Sequence, residues 1–171
     1  MTAHDPACEL CRTDGGRVVA RATAFRVVRP DDVNFPATYR VVWNGAVTEW
    51  TDLPPEQRSL CMRAVAKVET VLREALSPTK INLASLGNVV PHLHWHLVAR
   101  YEWDSHFPAP VWAPATRTAD ADAVATVQAP KNDKLIAVTG RQGRGEFAGF
   151  LVDQHRKTGL HQQQGGQQAQ K

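Results

Sequence analysis

Pro91-His92-Leu93-His94-Trp95-His96-Leu97-Val98 is the stretch on which the reading of this chain turns. Three of the chain's seven histidines stand at alternate positions within five residues, and Leu93, Trp95 and Leu97 fill the gaps. Strict alternation is the period of a β-strand, whose side chains point to opposite faces in turn. His92, His94 and His96 are expected to line one face, about 6.5–7 Å apart along the strand. Leu93, Trp95 and Leu97 then face a core. Imidazoles in a row can bind an anion, hold a metal or share protons, because their charge changes near neutral pH. Three readings stay open from the residues alone. One is a half-buried strand whose polar face happens to be histidine, although Lys, Thr or Glu would serve a solvated face as well. The second is a zinc or copper site built on His-x-His. The third is a phosphate site with a nucleophilic histidine.

Composition narrows the setting. The 171 residues suit one domain with an appendage, and 43% hydrophobic content is enough for a core. The net charge of +3 comes from scattered basic residues, which permits anionic substrates without marking a nucleic-acid binder. No apolar run approaches the roughly 18 residues of a membrane span. The first ten residues lack the charged start and apolar core of a signal peptide. Cys8, Cys11 and Cys61 do not make a disulfide framework, so a reduced cytoplasmic location is expected.

Outward from the histidines, the chain reads as strands around one helix. Cys8-Glu9-Leu10-Cys11 is half a zinc site, a redox pair or a coincidence. Asp14-Gly15-Gly16 makes a turn, and short strands are expected at 17–22 and 25–29. Residues 30–36 form a loop, and 39–43 the next strand. Thr51-Asp52-Leu53-Pro54-Pro55-Glu56 carries helix-start signals. The helix is expected over 55–76, with Leu60, Ala64, Val68, Val71, Leu72 and Ala75 as its apolar stripe. Cys61 and Met62 read as packing residues. A strand follows at 81–86. After Tyr101 an aromatic, proline-rich arm should lie against the domain or a partner, with His106 on the surface. A strand at 134–139 and a helix at 146–155 are expected further on. Gly140, Gly143, Gly145 and Gly149 lack the Lys-Ser/Thr ending of a phosphate loop, and 161–171 reads as a low-complexity tail.

His92-Leu93-His94-Trp95-His96-Leu97-Val98 resembles the His-φ-His-φ-His-φ-φ signature (φ apolar) of the histidine triad, or HIT, family. The resemblance covers roughly residues 8–115. It implies an α+β fold, an antiparallel sheet with one long helix, paired into a homodimer. The expected organisation is a HIT-like domain at 1–115, a C-terminal extension at 116–160 and the tail at 161–171. The resemblance also implies a nucleotide hydrolase or transferase acting at an α-phosphate. Dinucleoside polyphosphates such as diadenosine tetraphosphate, phosphoramidates and acyl-adenylates are the substrate types. His94 would attack the phosphorus and form a nucleotidyl-histidine, with its tautomer held by a carbonyl on a neighbouring strand. His92 and His96 would flank the phosphate, and His96 would protonate the leaving group. Asn88 stands where the family usually has Gln, Asn82 near a family Asn, and Asp31 where an acidic residue approaches the ribose. Val89 replaces a Ser or Thr hydroxyl, a departure that favours an altered substrate or slower turnover. Trp112 would close part of the site. No cofactor is required, and magnesium arrives, if at all, with a polyphosphate. Many HIT proteins bind zinc through a Cys-x-x-Cys and two histidines. Cys8, Cys11 and His92 match three ligands, but Asn44-Gly45-Ala46-Val47 occupies the place of the fourth, so weak or absent zinc is expected. The alternatives to a hydrolase are a nucleotide-binding module with little turnover and a metal-binding protein using the histidine cluster.

Overall fold

The computed structural model describes residues 5–129. The expected elements at 134–139 and 146–155 and the tail lie outside them. The elements run α1 (Glu9–Arg12), β1 (Arg17–Arg21), β2 (Phe25–Arg29), β3 (Thr38–Trp43), a 3-10 turn (Trp50–Asp52), α2 (Pro55–Leu76), β4 (Lys80–Ser85), β5 (His94–Arg100) and α3 (Ala121–Gln128). The strands form one antiparallel sheet in the order β1-β2-β3-β5-β4. The α+β architecture expected from the sequence is therefore present.

Each local signal has its physical counterpart. Gly16 sits at a φ of 146° where a Cβ would lie 2.7 Å from the Arg29 carbonyl oxygen, so the turn into β1 requires glycine. Pro55 opens α2 from within its first turn, and Ser77 closes it in the left-handed region at a φ of 45°. No side chain caps α2. Asp52 instead belongs to a capping box with Glu49 that closes the 3-10 turn. The buried stripe of α2 is Cys61, Ala64, Val65, Val68, Val71 and Leu72. It is rotated slightly from the expected one, because α2 lies across β5 and β3 and its inner line runs through Cys61 and Val65. Met62 faces out.

The register sorts the two faces of the sheet. Val41 is paired with Trp95 and Tyr39 with Leu97, on one face. Val42 is paired with His94, Arg40 with His96 and Thr38 with Val98, on the other. The end of β5 is fixed by Arg100, which is 2% exposed. Its Nε donates to Asp104 Oδ2 at 2.7 Å, and its Nη2 to Asp104 Oδ1 at 3.1 Å and to the Ala109 carbonyl at 2.9 Å. The Asp104 carboxylate also accepts the backbone N–H groups of Tyr101, His106 and Phe107. Burial alone would raise its pKa, but the Arg100 bond and these N–H donors outweigh it and hold it low. The arm after Tyr101 is thereby drawn onto the domain. His106, expected on the surface, is 7% exposed. Its Nδ1 lies 2.8 Å from Ser105 Oγ and its ring 4.8 Å from that of Phe35. Its place is set by the Asp104 turn, which aromatic content alone does not reveal.

Truncating Asp104 leaves a buried guanidinium without its counter-charge. Asp104→Ala should cost about 3–5 kcal/mol in urea unfolding, against less than about 0.5 for the exposed Glu102→Ala. Equal, small effects would show that the pair does not organise the arm.

Candidate functional site

The lead-in to β5 is held by the segment that leaves β3. Leu93 N–H donates to the Val47 carbonyl at 2.6 Å and Trp43 N–H to the Leu93 carbonyl at 3.1 Å. These bonds bend the chain, and β5 begins only at His94. The expectation that three histidines line one strand face is thus corrected: His94 and His96 do so, and His92 lies off the strand. The two strand imidazoles converge to 4.7 Å between centroids.

His92 is a junction, 2% exposed. Its Nε2 lies 2.7 Å from the Trp43 carbonyl oxygen, which can only accept, so Nε2 carries the proton. Nδ1 is then a lone pair, and it faces Cys8 Sγ at 3.4 Å and Cys11 Sγ at 3.5 Å. The His92 carbonyl in turn lies 2.6 Å from His94 Nδ1. By the same logic His94 carries its proton on Nδ1 and keeps Nε2 as a lone pair. The tautomer-fixing carbonyl therefore comes from two residues upstream on the same chain segment, not from a neighbouring strand. Burial lowers the pKa of both His92 and His94, which keeps them neutral. Burial, with the neighbouring His94 and the Arg40 charge, pulls His96 down to about 4.

A cavity of about 730 Å³ opens beside His96. Arg40, Thr38, Asn82 and Lys80 line its sheet side, and Pro108, Pro110 and Trp112 its outer wall. Trp112 is 73% exposed at this wall. His94 is not among the lining residues and sits behind His96, 7% exposed. Asn82 lines the cavity and accepts a 2.9 Å bond from Arg100 Nη1. Asn88 is exposed in the turn before His92 and does not reach the cavity. Asp31 is exposed and outside it as well. Its neighbour Asp32 lines the cavity, and its Oδ1 accepts the N–H groups of Asn34 and Phe35. Sequence reasoning missed Asp32 and Arg40. The signal for Arg40 was present, as a charge inside a strand apolar on both faces.

Cys8, Cys11 and His92 bring their ligand atoms within 4.8 Å of one another. Tetrahedral zinc, with bonds of about 2.3 Å to sulfur and 2.0–2.1 Å to nitrogen, spaces its donors about 3.5–3.8 Å apart. The sulfur and nitrogen donors fit that ion, and His92 is oriented for it by Trp43 as metal-ligating histidines are by their outer partners. Bound there, zinc would cross-link α1 to the lead-in of β5. Among the described residues no fourth Cys, His, Asp or Glu joins the group. The expected place of a fourth ligand holds Asn44, whose side chain bonds the Ala22 and Thr23 carbonyls and Arg26. Arg26, 5% exposed, also donates to the carbonyls of Leu10, Thr13 and Asp14. α1 is thus fastened to the sheet by a guanidinium as well.

The HIT-domain family model matches residues 15–103. The chain belongs to the HIT family. Its fold is shared with a histidine triad protein from Bradyrhizobium japonicum, at a TM-score of 0.60 and 25% identity over 74% of this chain and 91% of that one. A histidine triad protein from Marinobacter aquaeolei gives 0.57 and 26% over 72% and 90%. One from Sinorhizobium meliloti gives 0.60 and 24% over 81% and 97%, a likeness of fold. No curated protein matches the chain. Membership of the HIT family supports a nucleotide-directed function of the hydrolase type.

His96 links this site to stability. Its folded pKa of about 4 lies below the ordinary 6.5. Between those values the unfolded chain binds the extra proton, so stability is full above about pH 6.5 and is lost as pH falls. From about pH 7.5 to 5 the wild type should lose about 2 kcal/mol more in urea unfolding than His96→Gln. Parallel losses in the two proteins would remove the shift.

Proposed function

We infer that the chain is a HIT-type hydrolase or transferase cleaving at the α-phosphate of a nucleoside phosphate conjugate. The observation that carries this is the bond from His94 Nδ1 to the His92 carbonyl. It leaves a neutral Nε2 lone pair on a buried imidazole packed against His96, which lines a cavity of nucleotide size. A nucleophilic imidazole needs that tautomer. Nε2 of His94 forms the bond to phosphorus as the bond from phosphorus to the leaving group breaks, and the leaving group takes a proton. His96, held neutral before substrate arrives, gains basicity when a phosphate anion enters beside it and can then supply that proton. Water next attacks the phosphorus, the bond to His94 breaks, and the nucleoside monophosphate departs.

His92 acts differently from the flanking role expected for it. It fixes His94 through its carbonyl and faces the cysteines with its ring. Asn82 remains a candidate substrate contact at the cavity wall. Asp32 takes the place of Asp31 as the carboxylate for the ribose, and Asn88 contributes only if the turn at 87–90 closes over substrate. A binding module with little turnover is the second reading, favoured by the shielding of His94 behind His96 and by Val89, which is 94% exposed and brings no hydroxyl.

His94→Ala should abolish turnover while nucleotide affinity stays within about tenfold, or ~1.4 kcal/mol. Rapid-quench labelling with diadenosine tetraphosphate, adenosine phosphoramidate and lysyl-adenylate should trap label on His94 for at least one of them. Near-normal hydrolysis by the mutant rules out the covalent route, and absence of label with every substrate leaves the binding module.

Assembly and metal content can be read from one purified sample. We infer a homodimer, since β4 is a sheet edge carrying Leu83 at 40% exposure. We also infer exchangeable zinc on three donors, with folding independent of it because Arg26 already holds α1. Light scattering should give about twice 18.9 kDa, and dialysis against chelator should strip the metal without unfolding. A monomer mass, or one zinc retained per chain, would overturn the respective inference.

A further inference from the structure

Arg40 stands in the middle of β3, paired with Val28 on β2 and with His96 on β5. Its Nε is buried and has no hydrogen-bond partner among the described residues. The other inward arginines of the sheet are treated differently. Arg26 donates to three backbone carbonyls and Asn44, and Arg100 to Asp104, Asn82 and Ala109. Arg40 is half-buried, its guanidinium is always charged, and a buried Nε donor without a partner costs stability. Arg40 also lowers the proton affinity of both His94 and His96 by its charge. The sheet therefore tolerates a group that weakens the fold, at a position of β3 that faces the cavity. Thr38, Asn82 and Lys80 share that wall; Asp32 and Glu69 also line the cavity, while the strand residues paired with Arg40, Val28 and His96, carry no carboxylate.

We propose that Arg40 is the phosphate-reading residue of this cavity, donating to the non-bridging oxygens of the phosphate that His94 attacks. The proposal rests on the hydrolase reading for the identity of that phosphate. The chemistry is specific. The neutral histidines offer at most a single N–H each, whereas the guanidinium offers a permanent charge and a planar pair of donors. Charge that develops on the phosphate oxygens is met by a donor already in place, with no proton transfer required. The class selected is thus an anionic phosphate ester or anhydride; a nucleoside without phosphate leaves Arg40 as unpaired as it is in the free protein. A purely structural Arg40 would instead be expected to have its donors satisfied within the fold.

The test compares AMP with adenosine by titration calorimetry, in wild type, Arg40→Met, Arg40→Gln and Arg40→Lys, alongside thermal unfolding of each. The wild type should bind AMP at least tenfold more tightly than adenosine. Met and Gln should lose about 10²-fold in AMP affinity, the size of a charged donor's contribution, while adenosine binding changes less than about threefold. Their Tm should equal or exceed that of the wild type, because a buried donor without a partner, the Arg40 Nε, has been removed. Lys, which keeps the charge without the fork, should recover part of the AMP preference. The idea is overturned if the Met and Gln variants keep AMP within about twofold, if adenosine falls in step with AMP, or if the wild type shows no preference. It is overturned equally if Met and Gln lower Tm or do not fold, since Arg40 would then be a structural group. The covalent mechanism is judged separately by label on His94. AMP discrimination that depends on Arg40 without such label would keep this inference and remove the hydrolase.

Discussion

The hydrogen bond from His92 Nε2 to the Trp43 carbonyl is the constraint through which the site is organised. It ties the end of β3 to the start of β5 and settles which nitrogen of His92 is bare. That nitrogen faces two cysteines. The bend it helps hold turns the His92 carbonyl onto His94, which settles which nitrogen of His94 is bare. Two tautomers are thus set in series by two backbone carbonyls, with no carboxylate involved. Carbonyl acceptors suit this task, because they fix orientation without adding a charge that would protonate the ring.

Electrostatics on the same sheet face are divided by arginines rather than by the histidines. Arg26 fastens α1, Arg100 fastens the arm after Tyr101, and Arg40 faces the cavity between them. The first two spend their donors on protein groups. Fully satisfied buried charges of this kind rigidify their surroundings. The neutral state of the histidines follows from lying in a low-dielectric surface already carrying these cations.

Much of this was legible in the sequence because its cues are local. Pro55, Ser77 and the Val- and aromatic-rich runs at 25–29 and 39–43 place α2, β2 and β3 within a residue of where they lie. The α+β class and the family follow from the same patterns together with the histidine motif. Departures occur where a long-range bond overrides the local period. Alternation puts His92 on the strand, but Leu93 pairs with Val47, a partner 46 positions away that no window reveals. His106 looks like a surface residue until Asp104 gathers its backbone. Asp31 and Asp32 are indistinguishable as a pair of carboxylates, and only the turn in which Asp32 accepts from Asn34 and Phe35 aims one of them inward. α3, at 121–128, was not anticipated, although Asp120 is an ordinary capping residue and does bond Ala123 N–H.

The cavity wall formed by Pro108, Pro110 and Trp112 belongs to a segment with no strand or helix of its own. It is suspended from the sheet by one arginine at the end of β5, through Asp104 and the Ala109 carbonyl. The histidine pair and the cavity wall are accordingly carried by separable parts of the chain. His94 and His96 sit on a strand whose geometry the sheet enforces, whereas the wall can change in length and character so long as the Arg100 bonds to Asp104 and Ala109 survive. An architecture of this kind lets the cavity wall vary quickly over a histidine pair that stays fixed. The residues to follow when comparing members of such a lineage are therefore those between Phe107 and Trp112.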